Sequence, residues 1–278
     1  MTFQPWAALI ALPPFLGIFL LGWKMKRVSA QKRDPFTEPL LRPPGESCRL
    51  KLDELIEKSL PQILLFVAPI FVALSAYYAH VSIISCLILL VLSCAFTLFM
   101  AKRLWDVAVK IGNYRLGFEG ERAVGQELNQ ALSFGCKVFH DVQFDGYNID
   151  HVIVATSGVY AVETKTRRKG HEKNAHRVRY DGQKLIFPEW EDDYGLEQAL
   201  RNAKSLSVWL SKAVGESLWV EPILTLPGWL VDRQAKGKVN VLNPKEIVGF
   251  ISRNSQSTLS PQLIQRISHQ LEQKNVIS

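Results

Sequence analysis

The 278-residue chain holds only four cysteines, and none stands in a CxxC pair or in a Cys/His spacing suited to a metal. Cys48, Cys86, Cys94 and Cys136 therefore read as reduced thiols packed as small hydrophobes. That excludes a zinc ribbon and a disulfide-stapled scaffold. No internal repeat is present, which excludes a solenoid or a propeller. Charge is missing altogether from two stretches. Residues 6–23 contain no Asp, Glu, Lys or Arg, and residues 63–100 have none across 38 positions. Uncharged runs of that length set residues 1–104 apart from the remainder, which reads as ordinary soluble protein.

The first stretch is 18 residues long. As a helix it rises about 27 Å, close to a hydrocarbon core of about 30 Å. Pro13 and Pro14 kink it, which a lipid-embedded helix tolerates better than a soluble one. A signal peptide fits poorly, because no positive charge precedes the run and no small-x-small site follows it. The second stretch is too long for one span and suits two, with a turn near His80-Val81-Ser82 and Tyr77, Tyr78 and His80 at the interface. The alternative is a buried hairpin of a soluble core. Lys24, Lys26 and Arg27 follow the first run, nine Lys/Arg lie in residues 24–61, and Lys102 and Arg103 close the second run. All three clusters predict one topology: N-terminus outside, three transmembrane helices, everything after residue 101 cytoplasmic. The spans hold no ionisable group at mid-membrane, so they read as an anchor.

The expected organisation is a first transmembrane helix in residues 1–23, a cytoplasmic linker over 24–61, a transmembrane hairpin over 62–104, a domain core over 105–215, and completing strands and helices over 216–278. Within the linker, Asp34-Pro35, Pro39, Pro43-Pro44 and Gly45 mark an irregular stretch. Residues 50–60 have the spacing of a short amphipathic helix lying on the membrane face or on the soluble domain.

Net charge is +7, yet residues 105–278 carry 22 Lys/Arg against 20 Asp/Glu, so any basic surface there must come from local clustering. Periodicity predicts a helix over 114–133 stopped by Gly135 and strands over 136–142, 149–155 and 159–164. A small hairpin at Asp181-Gly182 follows, then a helix over 196–214, strands over 220–226 and 238–242, and helices over 244–253 and 261–273. One mixed sheet flanked by helices on both faces is the simplest α/β architecture.

Asp150 lies at the start of one of these strands, and Glu163 and Lys165 at the end of the next. With Ser157-Gly158 as a two-residue turn, Asp150 pairs with Lys165 and Val152 with Glu163. Alternation then sets Asp150, Glu163 and Lys165 on one face at one end of the hairpin. A slip of one residue would send Asp150 to the opposite face. Two carboxylates converging with one ammonium suit a hard divalent cation. Asp150, Glu163 and the carbonyl of Thr164 would give Mg²⁺ (or Mn²⁺) three oxygen ligands, leaving Lys165 to orient a water and stabilise developing charge. A surface salt bridge is the bland alternative for an isolated Glu-x-Lys.

Gly117-x-x-Gly120-Glu121 leading a helix, Asp150-His151 opening a β-branched strand, Gly158-Val159-Tyr160 at the turn and Glu163-x-Lys165 together resemble the nuclease-related domain (NERD) family of the PD-(D/E)xK, restriction-endonuclease-like superfamily. The resemblance covers about residues 117–210. It implies a restriction-endonuclease-like mixed sheet with Mg²⁺-dependent phosphodiester cleavage. By position it makes Asp150 and Glu163 metal ligands, Lys165 the water-positioning group and Glu121 a further acidic ligand. Gln198 is implied to contact phosphate or brace Lys165, and Asn148-Ile149 replaces the usual proline. Glu119 competes with Glu121, but Glu121 aligns with the stripe of Val124 and Leu128 and is preferred.

Residues 165–179 hold seven Lys/Arg, two His and one Glu. Arg167, Arg168, Lys169, Lys173, Arg177 and Arg179 are candidates for phosphate contact, with a solvated loop or a loop on anionic lipid as alternatives. His151 is expected to be packed on the other face of its strand. The sequence therefore predicts a membrane-anchored nuclease acting on DNA, with RNA the weaker candidate substrate and the lipid bilayer as partner. Two alternatives stand beside it: a non-cutting nuclease-fold scaffold, and a membrane sensor in which the spans carry the function. Homo-oligomers and membrane partner proteins stay open.

Overall fold

The computed structural model describes residues 40–171, 175–254 and 258–276. The apolar run of residues 6–23 and the linker up to residue 39 lie outside the described residues, as does Lys173. The chain divides into two compact units, Met1–Pro39 with Ile63–Lys102, and Leu40–Gln62 with Arg103–Ser278.

Helix α1 (Glu46–Phe66) passes through a turn at Val67 into α2 (Ala68–Tyr78). The break falls at 79–82, where His80 takes a φ of 48°, and α3 (Ile83–Leu128) follows. The expected turn is therefore found where the polar and interfacial residues lie. Glu46–Tyr78 and Ile83–Phe134 are long and apolar enough to cross a membrane, and only 6% of each apolar window is buried. Two such helices occur among the described residues, and the first expected span, residues 6–23, lies outside them. Helix α3 has 46 residues, so the separate helix expected from residue 114 is its C-terminal part. No proline occurs between Pro69 and Pro188, and nothing in residues 101–113 breaks the helix. A 3₁₀ turn (Asn129–Phe134) ends it, with Gly135 left-handed at φ 75° as the sequence predicts. The amphipathic helix expected over residues 50–60 is likewise one part of α1, which runs on through Pro61.

The second unit contains two mixed sheets where one was expected. The larger has the order β1-β2-β3-β7-β9, built from β1 (Lys137–Phe144), β2 (Tyr147–Ala155), β3 (Gly158–Thr164), β7 (Val220–Thr225) and β9 (Asn240–Leu242). The smaller has the order β6-β5-β4-β8, with β4 (Arg177–Tyr180), β5 (Leu185–Ile186), β6 (Glu191–Asp192) and β8 (Leu230–Arg233). Strands β6 and β8 carry too little apolar alternation to announce themselves, and the separate sheet they complete was not legible. Asp145-Gly146 turns β1 into β2 with Phe144 opposite Tyr147.

Strand β3 is buried from end to end, and β2 from Ile149 onward. Their β-branched runs fit because helices cover both faces. On one face Val152, Val154, Val159 and Ala161 pack against Ala203, Leu206 and Leu210 of α4 (Tyr194–Val214) and Leu263, Ile267 and Leu271 of α6 (Pro261–Lys274). On the other, Ile153, Ala155, Tyr160 and Val162 meet Val124 and Leu128 of α3 and Ile247 and Ile251 of α5 (Pro244–Arg253). Helix α5 starts at a full capping box between Asn243 and Glu246.

Candidate active site

Antiparallel pairing brings the start of β2 to the end of β3. Ala155 pairs with Gly158 and His151 with Val162, so the turn residues are Thr156-Ser157 and not Ser157-Gly158. Extended one step, this register sets Asp150 opposite Glu163 rather than opposite Lys165. The difference is two residues. A shift of two preserves the face of every side chain, whereas a shift of one would reverse it. Asp150, Glu163 and Lys165 thus share the face covered by α4.

Asp150 is held from β3, and Glu163 and Lys165 are both held from α4. The backbone N–H of Thr164 donates to Asp150 Oδ2 at 2.7 Å. Lys165 Nζ donates to Glu163 Oε1 at 2.7 Å and to Gln198 Oε1 at 2.8 Å. Asn202 Nδ2 donates to Glu163 Oε2 at 2.9 Å. Gln198 and Asn202 stand one turn apart on α4, so one helix face braces both the lysine and the acid. Asn202 was not singled out from sequence, although its spacing from Gln198 could have found it.

Glu121 enters from α3. It is buried, whereas Glu119 is exposed and paired with Arg115 at 3.0 Å, as the stripe argument requires. Glu121 Oε1 accepts from the Cys48 thiol at 3.2 Å, and Oε2 is buried with no partner. The glycines of α3 make this approach possible. A Cβ at Gly120 would lie 1.7 Å from Thr166 Oγ1, and one at Gly125 would lie 2.7 Å from Pro44 Cβ. No side chain fits at either place without moving the loop after β3 or the segment before α1.

That segment, read from sequence only as irregular, packs with the second unit. Arg42 donates to Asp141 Oδ2 through Nε at 2.8 Å, and its Nη2 forms an ion pair with the same oxygen at 2.6 Å. Ser47 adds its backbone N–H at 2.9 Å and its hydroxyl at 3.0 Å, and Asn148 Nδ2 donates to Oδ1 at 2.7 Å. Asp141 is fully buried and left-handed at φ 51°, and it interrupts the β1–β2 ladder directly across from Asp150. Nothing in the sequence marks Asp141 or Arg42, since their partners are 99 residues apart.

The electrostatics follow from burial. Desolvation, then like-charge repulsion from Glu163 and Glu121, raises Asp150 well above the usual carboxylate range. Burial also pushes Glu121 up to about 7, opposed by the Cys48 hydrogen bond and reinforced by Asp141 and Glu163. Glu163 is raised by burial against the pull of Lys165. The Cys48 thiol is pushed up by burial and then by Glu121. On the opposite face His151 is fully buried, as expected, with its Nδ1 2.9 Å from His140 Nδ1. Burial holds His140 down at about 4 and His151 well below its usual range, so the pair is neutral.

Among the described residues no three His, Cys, Asp or Glu side chains are grouped as a ready-made ligand set. Mg²⁺ asks for less: one or two carboxylates, further oxygens and retained waters. Asp150, Glu163 and Glu121 supply hard oxygens, and the unpartnered Glu121 Oε2 is a buried acceptor lacking a donor. The donor set fits that cation.

The basic residues do not form one cluster. Arg167 is tied to Asp192 at 2.8 Å, Arg168 reaches the Gly112 carbonyl at 3.5 Å, and Lys169 lies 5.9 Å from the Trp229 ring centroid. Arg177 and Arg179 are exposed on β4 and alternate with buried Val178 and Tyr180.

No curated protein and no solved structure gives a significant match to the chain. A family model, the nuclease-related domain, matches residues 116–227, which extends past the motif residues through α4 and β7. Its span contains Glu121, Asp150, Glu163, Lys165 and Gln198, and excludes Arg42 and Cys48. Residues 116–227 of this chain are a nuclease-related domain (NERD), of the general PD-(D/E)xK kind.

Proposed function

We propose that the protein is a membrane-anchored nuclease that hydrolyses phosphodiester bonds in DNA at the cytoplasmic face, using Mg²⁺ or Mn²⁺. The observation that carries this reading is the convergence of Asp150, Glu163 and Glu121, buried together at one sheet end beside Lys165. Burying several carboxylates costs stability unless a counter-charge joins them, so a merely structural site would not favour the arrangement.

Asp150 and Glu163 would hold the cation, with Glu121 and the Thr164 carbonyl as further oxygen donors. When bound, the cation supplies Lewis-acid polarisation of a phosphate and a more acidic water. Lys165, braced by Gln198, is placed to orient the attacking water and to offset charge on the phosphate. Asn202 keeps Glu163 from rotating away. Arg168, Lys169, Arg177 and Arg179 are exposed or near the surface and would meet backbone phosphates without reading sequence. Arg167 would do so only on leaving Asp192.

The two apolar helices support membrane anchoring, and the Lys/Arg clusters support an external N-terminus with the nuclease unit inside. The test is cleavage by the full chain in detergent, on linear, nicked and single-stranded DNA, with Mg²⁺ or with EDTA. Metal-dependent cleavage lost in Lys165→Ala supports the reading. A folded protein that binds DNA but never cuts leaves the non-cutting scaffold.

A further inference from the structure

Tyr194 opens α4 directly beside the candidate site. Its ring is 58% exposed. The ring centroid lies 5.6 Å from Lys165 Nζ and 5.9 Å from Arg201 Cζ. Among the described residues the ring meets these two cations and no other aromatic ring. Its position is fixed from the backbone. The Tyr194 N–H donates to Asp192 Oδ1 at 3.0 Å, and Asp192 Oδ2 is held by Arg167 at 2.8 Å. One turn further along the helix, Gln198 braces Lys165.

A large ring left in water has an apolar surface to cover. Here that surface lies beside the lysine that would face the scissile phosphate, with a second cation, Arg201, 5.9 Å from the ring centroid. The chemistry that suits both features is a nucleobase: it stacks on the ring while its phosphates meet the cations. Bases inside a duplex are already stacked on their neighbours and cannot offer a face to a side chain. Only a single strand, or an end melted into single strands, can do so. Resting on the nuclease reading above, we propose that Tyr194 is a base-stacking platform and that the substrate enters the site as single-stranded nucleic acid.

The test uses the full chain in detergent, with EDTA present to stop cleavage. Affinity is measured by fluorescence anisotropy for an oligo-dT single strand and for a blunt duplex. Tyr194→Ala and Tyr194→Leu should each weaken single-strand binding by roughly 5- to 100-fold, while Tyr194→Phe stays within about twofold of wild type. Duplex affinity should be unchanged in all three. The wild-type protein should also bind less well to a strand with an abasic site at the stacked position, a comparison that needs no mutant to fold. Equal single-strand affinity in the Ala, Leu and wild-type proteins overturns the proposal. So does a parallel loss on the duplex, or indifference to the abasic site. Addition of Mg²⁺ separates the two readings. Stacking losses without any cleavage would remove the nuclease and keep the platform. Single-strand cleavage with an unaltered KM in Tyr194→Leu would keep the nuclease and remove the platform.

Discussion

Replacing Arg42 by Ala should destabilise the second compact unit far more than replacing an exposed arginine would. Two of its guanidinium nitrogens contact the same oxygen of Asp141, at 2.8 and 2.6 Å, and Asp141 is fully buried. Breaking a buried ion pair from one side typically costs about 3–5 kcal/mol, because the remaining charge is stranded. Donors from Ser47 and Asn148 stay on Asp141, so the lower end applies, about 3 kcal/mol. For a unit of about 200 residues this lowers Tm by roughly 6–12 °C. Differential scanning fluorimetry of the full chain in detergent measures it. Arg42→Lys keeps the charge and loses the fork, and should fall between the two. Asp141→Asn retains a side chain that tolerates the left-handed backbone. Combined with Arg42→Met it should cost less than the sum of the single changes. Strict additivity, or a Tm drop under about 2 °C for Arg42→Ala, would refute the reasoning. The same reasoning predicts that residues 103–278 expressed alone melt lower than a chain that keeps residues 40–62.

Asp150→Ala or Glu163→Ala should abolish both Mg²⁺ binding, read by calorimetry, and cleavage, whereas Lys165→Ala should keep metal and lose cleavage. Double mutants among the three should be strongly non-additive in kcat. Glu121→Gln tests the raised carboxyl. A folded pKa of about 7 above a usual value of 4.5 means the native state holds the extra proton. Its stability contribution is therefore full below about pH 4.5 and is lost as pH rises through 7. Glu121→Gln should gain on wild type between pH 5 and pH 8, by up to about 3 kcal/mol in metal-free buffer, and a pH-independent difference in urea midpoints would count against it. Replacing Arg168 and Lys169 with Ala should weaken DNA binding equally for unrelated sequences and flatten its salt dependence, while reduced vesicle association alone would point to lipid. A reporter fused at Met1 should be external and one after Ser278 cytoplasmic; an internal N-terminus would overturn the topology.

What the sequence made legible follows from range. Strands β2 and β3 and the turn at Gly135 depend on neighbours a few residues away, and periodicity finds them. The shared face of Asp150, Glu163 and Lys165 was reached although the turn was placed one residue late, because that error moves the pairing by two and alternation has period two. Glu121 was separable from Glu119 because a helix stripe is also local. Arg42–Asp141 and Cys48–Glu121 were not legible, since each joins residues separated by 99 and 73 positions and no periodicity spans that distance. The continuity of α3 was hidden by a change in composition at residue 101, which altered the surroundings of the helix without altering its backbone.

The charges near the site do not balance, and the imbalance is informative. Asp141 has Arg42, and Glu163 has Lys165. Asp150 and Glu121 have hydrogen bonds from a backbone amide and a thiol, but no cation at salt-bridge distance among the described residues. Two buried carboxylates are thus left to be neutralised by protons or by something supplied from outside. Protons are a poor solution near neutrality, because each upward shift is stability given up relative to the unfolded chain. The Lys165–Glu163 pair can be read as a stabilising end in itself, but it leaves the other two acids uncompensated. A divalent cation among the three acids, as proposed above, would remove that debt in one step and free Lys165 to face a phosphate. The excess negative charge, more than any single contact, is why this end of the sheet reads as a place for chemistry.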